Sequence, residues 1–224
     1  MANLYLVSTP IGNLEDITLR ALKVLEDIPV IACEDTRKTG QLLAHFNLRK
    51  SQELTSFFEG NEQVKTPELL NKLLSGVDVA LVTNAGTPTI SDPGFKLARA
   101  CHEAGIKVVP IPGASASLAA LTASGLPTDK FLFLGFLPKK PTHRQKYLTE
   151  NLKPKLTTII YLSPYRIVDE LKDIKAVAGD TEAVLCRELT KIYEEVSRKK
   201  IAEFIDRFGK EKPKGEFTLV IHLN

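Results

Sequence analysis

Two charged runs carry residue types suited to proton and charge chemistry. Glu34-Asp35-Thr36-Arg37 follows the apolar run Val30-Ile31-Ala32-Cys33, and Arg187-Glu188-Leu189-Thr190-Lys191 follows the apolar end of residues 182–186. Carboxylates beside guanidinium and ammonium groups at the end of a strand suit a polar site. A plainer role competes, because Asp35 or Thr36 also suits a helix cap and opposite charges often pair on turns. A third stretch, Asn84-Ala85-Gly86-Thr87-Pro88-Thr89-Ile90-Ser91-Asp92-Pro93-Gly94, reads instead as a ligand loop. It joins the buried-strand pattern of Val79–Val82 to the helical periodicity of Phe95, Leu97, Ala98 and Cys101. Gly86 permits close approach of main chain, Pro88 stiffens the turn, and Asp92-Pro93 reads as a cap followed by a first-turn proline. Pro112-Gly113-Ala114-Ser115-Ala116 is a second small-residue turn, equally suited to ligand approach and to close helix packing.

The elements that must position these residues alternate. Strands are predicted over residues 4–7, 30–33, 54–58, 79–82 and 107–111, the third as an edge strand, with helices between them. Asp16 is expected to cap the first helix, over 17–27, and Pro67 to open the third. After Gly125 the pattern changes to strands over 131–135, 157–161, 182–186 and 217–222. Pro164 is expected to open a helix reaching about residue 172, and a further helix spans 201–208. The fold class is therefore α/β: a domain with a mostly parallel sheet over 1–112, and a second with a mixed sheet over 113–224. A ligand cleft is expected between them.

Composition bounds the function. Of 224 residues, 43% are hydrophobic and 25% charged, which suits a soluble globular chain. No run is long and apolar enough to span a membrane, and Asn13, Glu15 and Asp16 interrupt any secretory core, so the cytoplasm is the expected location. Cys33, Cys101 and Cys186 sit apart in apolar surroundings and read as buried thiols; the four histidines lack ligand spacing, and no metal is expected. The net charge of +3 is unevenly spread: residues 1–138 hold 12 Lys/Arg against 14 Asp/Glu, whereas 139–224 hold 18 against 13. The basic excess clusters at Lys139-Lys140 with Arg144 and Lys146, at Arg198-Lys199-Lys200, and over 210–214. Such clusters suit a polyanion, or simply a solvated surface. The glycine-rich nucleotide, zinc-protease and nucleophile-elbow signatures are absent.

Taken together, residues 4–18 (Leu-Tyr-Leu-Val-Ser-Thr-Pro-Ile-Gly-Asn-Leu-Glu-Asp-Ile-Thr), Glu34-Asp35-Thr36-Arg37, Ala85-Gly86-Thr87-Pro88, Ser91-Asp92-Pro93-Gly94, Gly135-Phe136-Leu137-Pro138 and Arg187-Glu188-Leu189-Thr190-Lys191 resemble the ribosomal RNA small subunit methyltransferase I family. That family lies within the tetrapyrrole methylase, or class III methyltransferase, superfamily, and the resemblance runs through nearly the whole chain. It implies a homodimeric S-adenosylmethionine enzyme that methylates the ribose 2′-OH of a cytidine in the decoding region of 16S rRNA. It implies a cofactor folded between two domains and held by Pro10, Ile11, Asn84, Ala85, Gly86, Thr87, Pro88, Ile90, Ser115, Ala116, Tyr161, Leu162 and Arg187. The chain departs from the family pattern at Asn84, where an acidic residue is common, at Leu162 in Tyr161-Leu162-Ser163, and at Phe57-Phe58-Glu59-Gly60, where members carry a histidine.

For such a reaction Glu34 or Asp35 is the candidate base, and Arg187 or Lys191 the electrostatic partner. Arg37, Lys139, Lys140, Arg144 and Lys199 are the candidate phosphate contacts. Two other readings fit less of the pattern. One is a superfamily methylase acting on a tetrapyrrole or a protein side chain; the other is a non-catalytic cofactor-binding module associated with the ribosome.

Overall fold

The computed structural model describes residues 2–48, 51–210 and 213–223. The chain divides into two compact units, Met1–Ser115 and Ala116–Asn224, so the division falls in the connection after the fifth strand.

The first unit is a five-stranded sheet of β1 (Asn3–Val7), β2 (Val30–Cys33), β3 (Glu53–Ser56), β4 (Val79–Val82) and β5 (Lys107–Ile111) in the order β3-β2-β4-β1-β5. Every pairing is parallel. The inner strands β2 and β4 are buried along their whole length, as a sheet covered on both faces requires. Pro110 sits in β5, at an edge where a missing N–H leaves no gap in the ladder. Helices α1 (Leu19–Asp27) and α2 (Thr36–His45) supply Ala21, Leu25 and Leu43 to the core on one face. Helices α3 (Glu62–Leu74) and α4 (Phe95–Glu103) supply Leu69, Leu73, Leu97 and Cys101 to the other. The connection after β1 leads towards β2 and that after β4 towards β5, in opposite directions from neighbouring strands. Such a reversal opens a crevice at the strands' carboxyl ends.

The second unit is a mixed sheet of β6 (Phe131–Phe136), β7 (Thr157–Leu162), β8 (Glu182–Arg187), β9 (Glu195–Lys200) and β10 (Phe217–His222), in the order β6-β7-β10-β8-β9. β6 and β7 are parallel and the remaining pairs antiparallel. α6 (Pro141–Asn151), α7 (Ile167–Ala178) and α8 (Ile201–Lys210) build the larger core, while α5 (Ala116–Ala123) covers the smaller one with Ala120 and Leu121. On α8 the buried Ile201, Phe204 and Phe208 follow helical spacing, and each fully buried phenylalanine contributes roughly 1.5–3 kcal/mol.

Several local expectations need correction. Thr18, whose hydroxyl accepts the Ala21 N–H at 3.1 Å, caps α1; Asp16 belongs to the single turn Leu14–Asp16 before it. Pro67 lies inside α3 instead of opening it, because Glu62 anchors the helix start by accepting the Gly94 N–H at 2.9 Å. α4 begins at Phe95 with Gly94 as its cap, so Asp92 caps nothing. The Ser163–Arg166 turn precedes α7, tied to it by Glu170, which accepts the Ser163 N–H at 2.9 Å. α6 and β9 answer to no expected element: their stretches are so rich in charge that apolar periodicity is faint.

Candidate functional site

At the carboxyl ends of β1, β4 and β5 three connections are knitted together. The Thr9 N–H donates to the Gly86 carbonyl at 2.9 Å and the Gly86 N–H to the Thr9 carbonyl at 3.0 Å. Ser8 Oγ donates to Thr87 Oγ1 at 3.1 Å, and Thr87 Oγ1 donates to the Ala114 carbonyl, also at 3.1 Å. Gly86 has φ +88°, a backbone conformation that suits glycine, and this lets the two loops pair. Pro10, Ile11, Gly86 and Pro88 are buried, Thr87, Ser115 and Ala116 half-buried, and Asn84, Ala85 and Ile90 exposed. What these connections offer a ligand is main-chain amide and carbonyl groups with small hydroxyls.

The charged groups of this edge include the carboxylates Glu34, Asp35 and Asp92 and the guanidinium of Arg37. Glu34, just past β2, accepts the Asn84 N–H at 2.9 Å and so ties the β2 connection to the ligand loop. Asp92 is half-buried, and among the described residues it has no hydrogen-bond or ion-pair partner. Burial first and the Glu34 charge second push its carboxyl up to about 7. Reading Asp92 as a helix cap concealed it as a site residue; only the fold brings it near Glu34. Asp35 behaves differently. It is the α2 cap, accepts the Arg37 N–H at 2.9 Å, and pairs with the Arg37 guanidinium, whose hydrogen bond holds the carboxyl down at about 2. A carboxylate held so low is a weak base, and Asp35 already serves as the α2 cap and as the partner of Arg37. Arg37 remains on the surface, with its side chain 86% exposed.

In the second unit, Tyr161, Leu162, Arg187 and Lys191 gather at one edge of the sheet. Phe217 at the start of β10 lies opposite both Leu162 and Arg187. Leu162 packs its side chain into the core, so it can offer a ligand only main chain. Tyr161 meets Phe133 and Phe136 edge-on, at 4.9 and 5.4 Å between ring centres. Arg187 stacks over Phe217 at 5.7 Å and donates to the Lys214 carbonyl. Lys191 donates to Glu188 at 3.0 Å and Glu216 at 2.8 Å; burial lowers its pKa, but the two carboxylates outweigh that and the net effect is upward.

The basic clusters separate. Arg144 is 2% exposed; its Nε donates to Asp173 at 2.6 Å, and Nη1 bonds the carbonyls of Pro138 and Lys139. It is a buried clamp and not a phosphate contact, and it holds the turn from which the exposed Lys139 and Lys140 project. Lys199 lies opposite Ala183 on the outer strand β9, towards the far end of the sheet from Lys139. Arg198 there pairs with Glu182 at 2.8 Å, and a charged outer strand is a common guard against edge pairing. Glu211 and Lys212 of the third cluster lie outside the described residues. The three cysteines are buried thiols, and burial pushes Cys101 and Cys186 up to about 11. Among the described residues there is no group of three or more His, Cys, Asp or Glu placed to hold a metal, and no helix long and apolar enough to cross a membrane.

The family model for Tetrapyrrole (Corrin/Porphyrin) Methylases matches residues 3–205. A ribosomal RNA small subunit methyltransferase I of Vibrio cholerae is 50% identical over 222 residues, covering 98% of this chain and 76% of the relative. The chain belongs to the ribosomal RNA small subunit methyltransferase I family. The Thermotoga maritima member is 44% identical, with 99% of this chain and 98% of the relative covered. Among solved structures, the uroporphyrin-III-C-methyltransferase of Thermus thermophilus superposes with a TM-score of 0.68 at 24% identity, covering 98% of this chain and 94% of that one. A diphthine synthase superposes at 0.72 with 16% identity, covering 99% and 90%. At such low identity these two structures speak to the fold alone, which is that of the class III methyltransferases.

Proposed function

We propose that the chain uses S-adenosylmethionine to methylate the 2′-OH of a cytidine ribose in the decoding region of 16S rRNA. The observation that carries this reading is the 50% identity, along nearly the whole chain, to a protein named for small subunit ribosomal RNA methylation. The uroporphyrin-III-C-methyltransferase and the diphthine synthase share the fold at much lower identity.

The donor set of the first unit suits this cofactor. Amides of Ile11, Ala85 and Thr87 and carbonyls of Pro10, Ile11, Asn84 and Pro88 match an adenosine, hydroxyls of Thr87 and Ser115 match polar ribose and amino-acid groups, and nearby carboxylates favour a cationic sulfonium. Tyr161, Leu162 and Arg187 complete the set assigned to it. When bound, the cofactor supplies an electrophilic methyl group. The protein's own task is then to align the acceptor oxygen and take its proton. Glu34 and Asp92 are the carboxylates for that proton. Arg187 and Lys191 supply positive charge for the acceptor's phosphate or alkoxide, and Arg37, Lys139 and Lys140 further phosphate contacts. A homodimer belongs to the same reading, and sedimentation velocity checks it.

Transfer of tritiated methyl from S-adenosylmethionine to isolated small ribosomal subunits and to naked 16S rRNA, followed by digestion to nucleosides, tests the function. Label in 2′-O-methylcytidine is the expected result. Label confined to a base or absent from RNA overturns it. Glu34→Gln and Asp92→Asn are each expected to slow single-turnover transfer about 100-fold with saturating RNA, whereas Asp35→Asn leaves it within about threefold. Unchanged rates in the first two variants remove the carboxylate assignment.

A further inference from the structure

Four large apolar side chains at one edge of the second sheet are largely exposed: Phe136, which meets Tyr161 edge-on, is 56% exposed, Tyr165 95%, Ile192 96% and Tyr193 77%. They are far apart in sequence, and strand pairing gathers them. Phe136 lies opposite Tyr161, and Phe217 lies opposite both Leu162 and Arg187, so the connections leaving β6, β7 and β8 all emerge at this edge. Three strand spacings, about 14 Å, separate the first from the last. Single exposed apolar residues are ordinary, but four in neighbouring connections form a patch.

The connection bearing Ile192 and Tyr193 is held firmly. The Glu188 N–H donates to the Glu216 carbonyl at 2.9 Å, and the Lys191 and Glu194 N–H groups close successive turns at 3.0 Å each. Lys191 bridges Glu188 and Glu216 across it. The backbone that carries the outward side chains is thereby fixed in advance, which lowers the ordering cost of binding. Lys139, Lys140 and Lys214 are exposed at the same edge, while of the nearby carboxylates Glu188 and Glu216 share Lys191, Glu195 pairs with Arg207 and Glu194 accepts the Thr190 N–H. Rings set apart from one another within a cationic rim suit a strand whose bases are splayed and whose phosphates run alongside.

We propose that this edge is a stacking platform for unpaired bases of single-stranded RNA beside the acceptor nucleotide, with Tyr165 and Tyr193 taking bases and Lys139, Lys140 and Lys214 taking phosphates. The inference rests on the RNA substrate proposed above and places the bases next to Tyr161 and Arg187, assigned there to the cofactor.

Fluorescence anisotropy without cofactor tests it, using a labelled single-stranded oligoribonucleotide of about twelve nucleotides and the duplex of the same sequence. The full-length protein is expected to bind the single strand more tightly than the duplex. Tyr165→Ala and Tyr193→Ala are each expected to weaken single-strand binding about tenfold, while Tyr165→Phe and Tyr193→Phe, which keep the ring, bind like the parent. Absence of single-strand binding by the parent, unchanged binding by the alanine variants, or equal losses for single strand and duplex overturn the platform. So does a loss that accompanies conversion of a dimer to monomers in sedimentation velocity, which makes the patch a contact between copies. Methyl transfer to ribosomal subunits is scored separately. Transfer without stacking-dependent binding sinks the platform alone, and stacking-dependent binding without transfer to RNA sinks the functional reading alone.

Discussion

Arg144 and Asp92 are ionisable groups whose roles follow from their surroundings more than from their charge. Arg144 spends its guanidinium on Asp173 and on two carbonyls of the turn before α6. Removing one partner of a buried pair leaves the other charge uncompensated, so Arg144→Ala is expected to lower stability by about 3–5 kcal/mol in urea unfolding. Burial and then the Glu34 charge shift the Asp92 pKa upward, opposite to a carboxylate with a cationic partner such as Asp35. Its folded pKa, about 7, stands above the ordinary value of 3.8, so between those pH values the folded state binds the extra proton. Stability contributed by protonated Asp92 is therefore complete below about pH 4 and falls as the pH rises towards 7, after which it levels off. Allowing for solvent screening of a half-exposed group, the fall is on the order of 2 kcal/mol. Asp92→Asn is expected to flatten this part of the profile and to be more stable than the parent at pH 8, measured by urea unfolding at pH 4.5, 6 and 8.

At the scale of elements, the ligand loop is held by groups remote in sequence. Gly94 has φ +130°, and a Cβ there would lie 2.5 Å from Leu81 Cδ2, inside the core beneath the loop. Gly94→Ala is thus expected to cost about 3 kcal/mol, through left-handed strain and overpacking together, read as a lower thermal midpoint in circular dichroism. Glu62, from the start of α3, supplies the matching hydrogen bond to the Gly94 N–H. This explains why helix starts were the least legible part of the sequence. Proline and Asp-Pro punctuation marks where a helix can begin, yet the actual starts of α3 and α4 are set by a contact between their own N-termini. The strands were legible because uninterrupted apolar runs such as Val79–Val82 leave few alternatives. β9 was missed because its outward charges, Arg198, Lys199 and Lys200, mask the strand pattern.

For the molecule as a whole, the distribution of charge has a testable consequence. Lys139 and Lys140 project near the edge that carries Tyr161 and Arg187, whereas Lys199 lies towards the opposite end of its sheet. The double variant Lys139→Gln/Lys140→Gln is expected to reduce the slope of log affinity against log salt by roughly 1.4 on single-stranded RNA, and Lys199→Gln to leave it unchanged. Titrations at several salt concentrations check both. The α/β class, the parallel first sheet, the mixed second sheet and the family were all readable from the chain itself, because they depend on periodicity and on short motifs whose spacing is local. The first and third motifs mark loops that meet in the fold, through Thr9, Gly86, Ser8 and Thr87. The roles within those loops were a different matter. Asp35 as a cap was one of the two readings its position allowed, but Arg144 as a buried clamp and Asp92 as a neighbour of Glu34 whose carboxyl burial pushes upward are outcomes that no spacing along the chain encodes. A side chain's charge state and partners depend on burial and on groups dozens of residues away, which only come together when the strands take their order in the sheet.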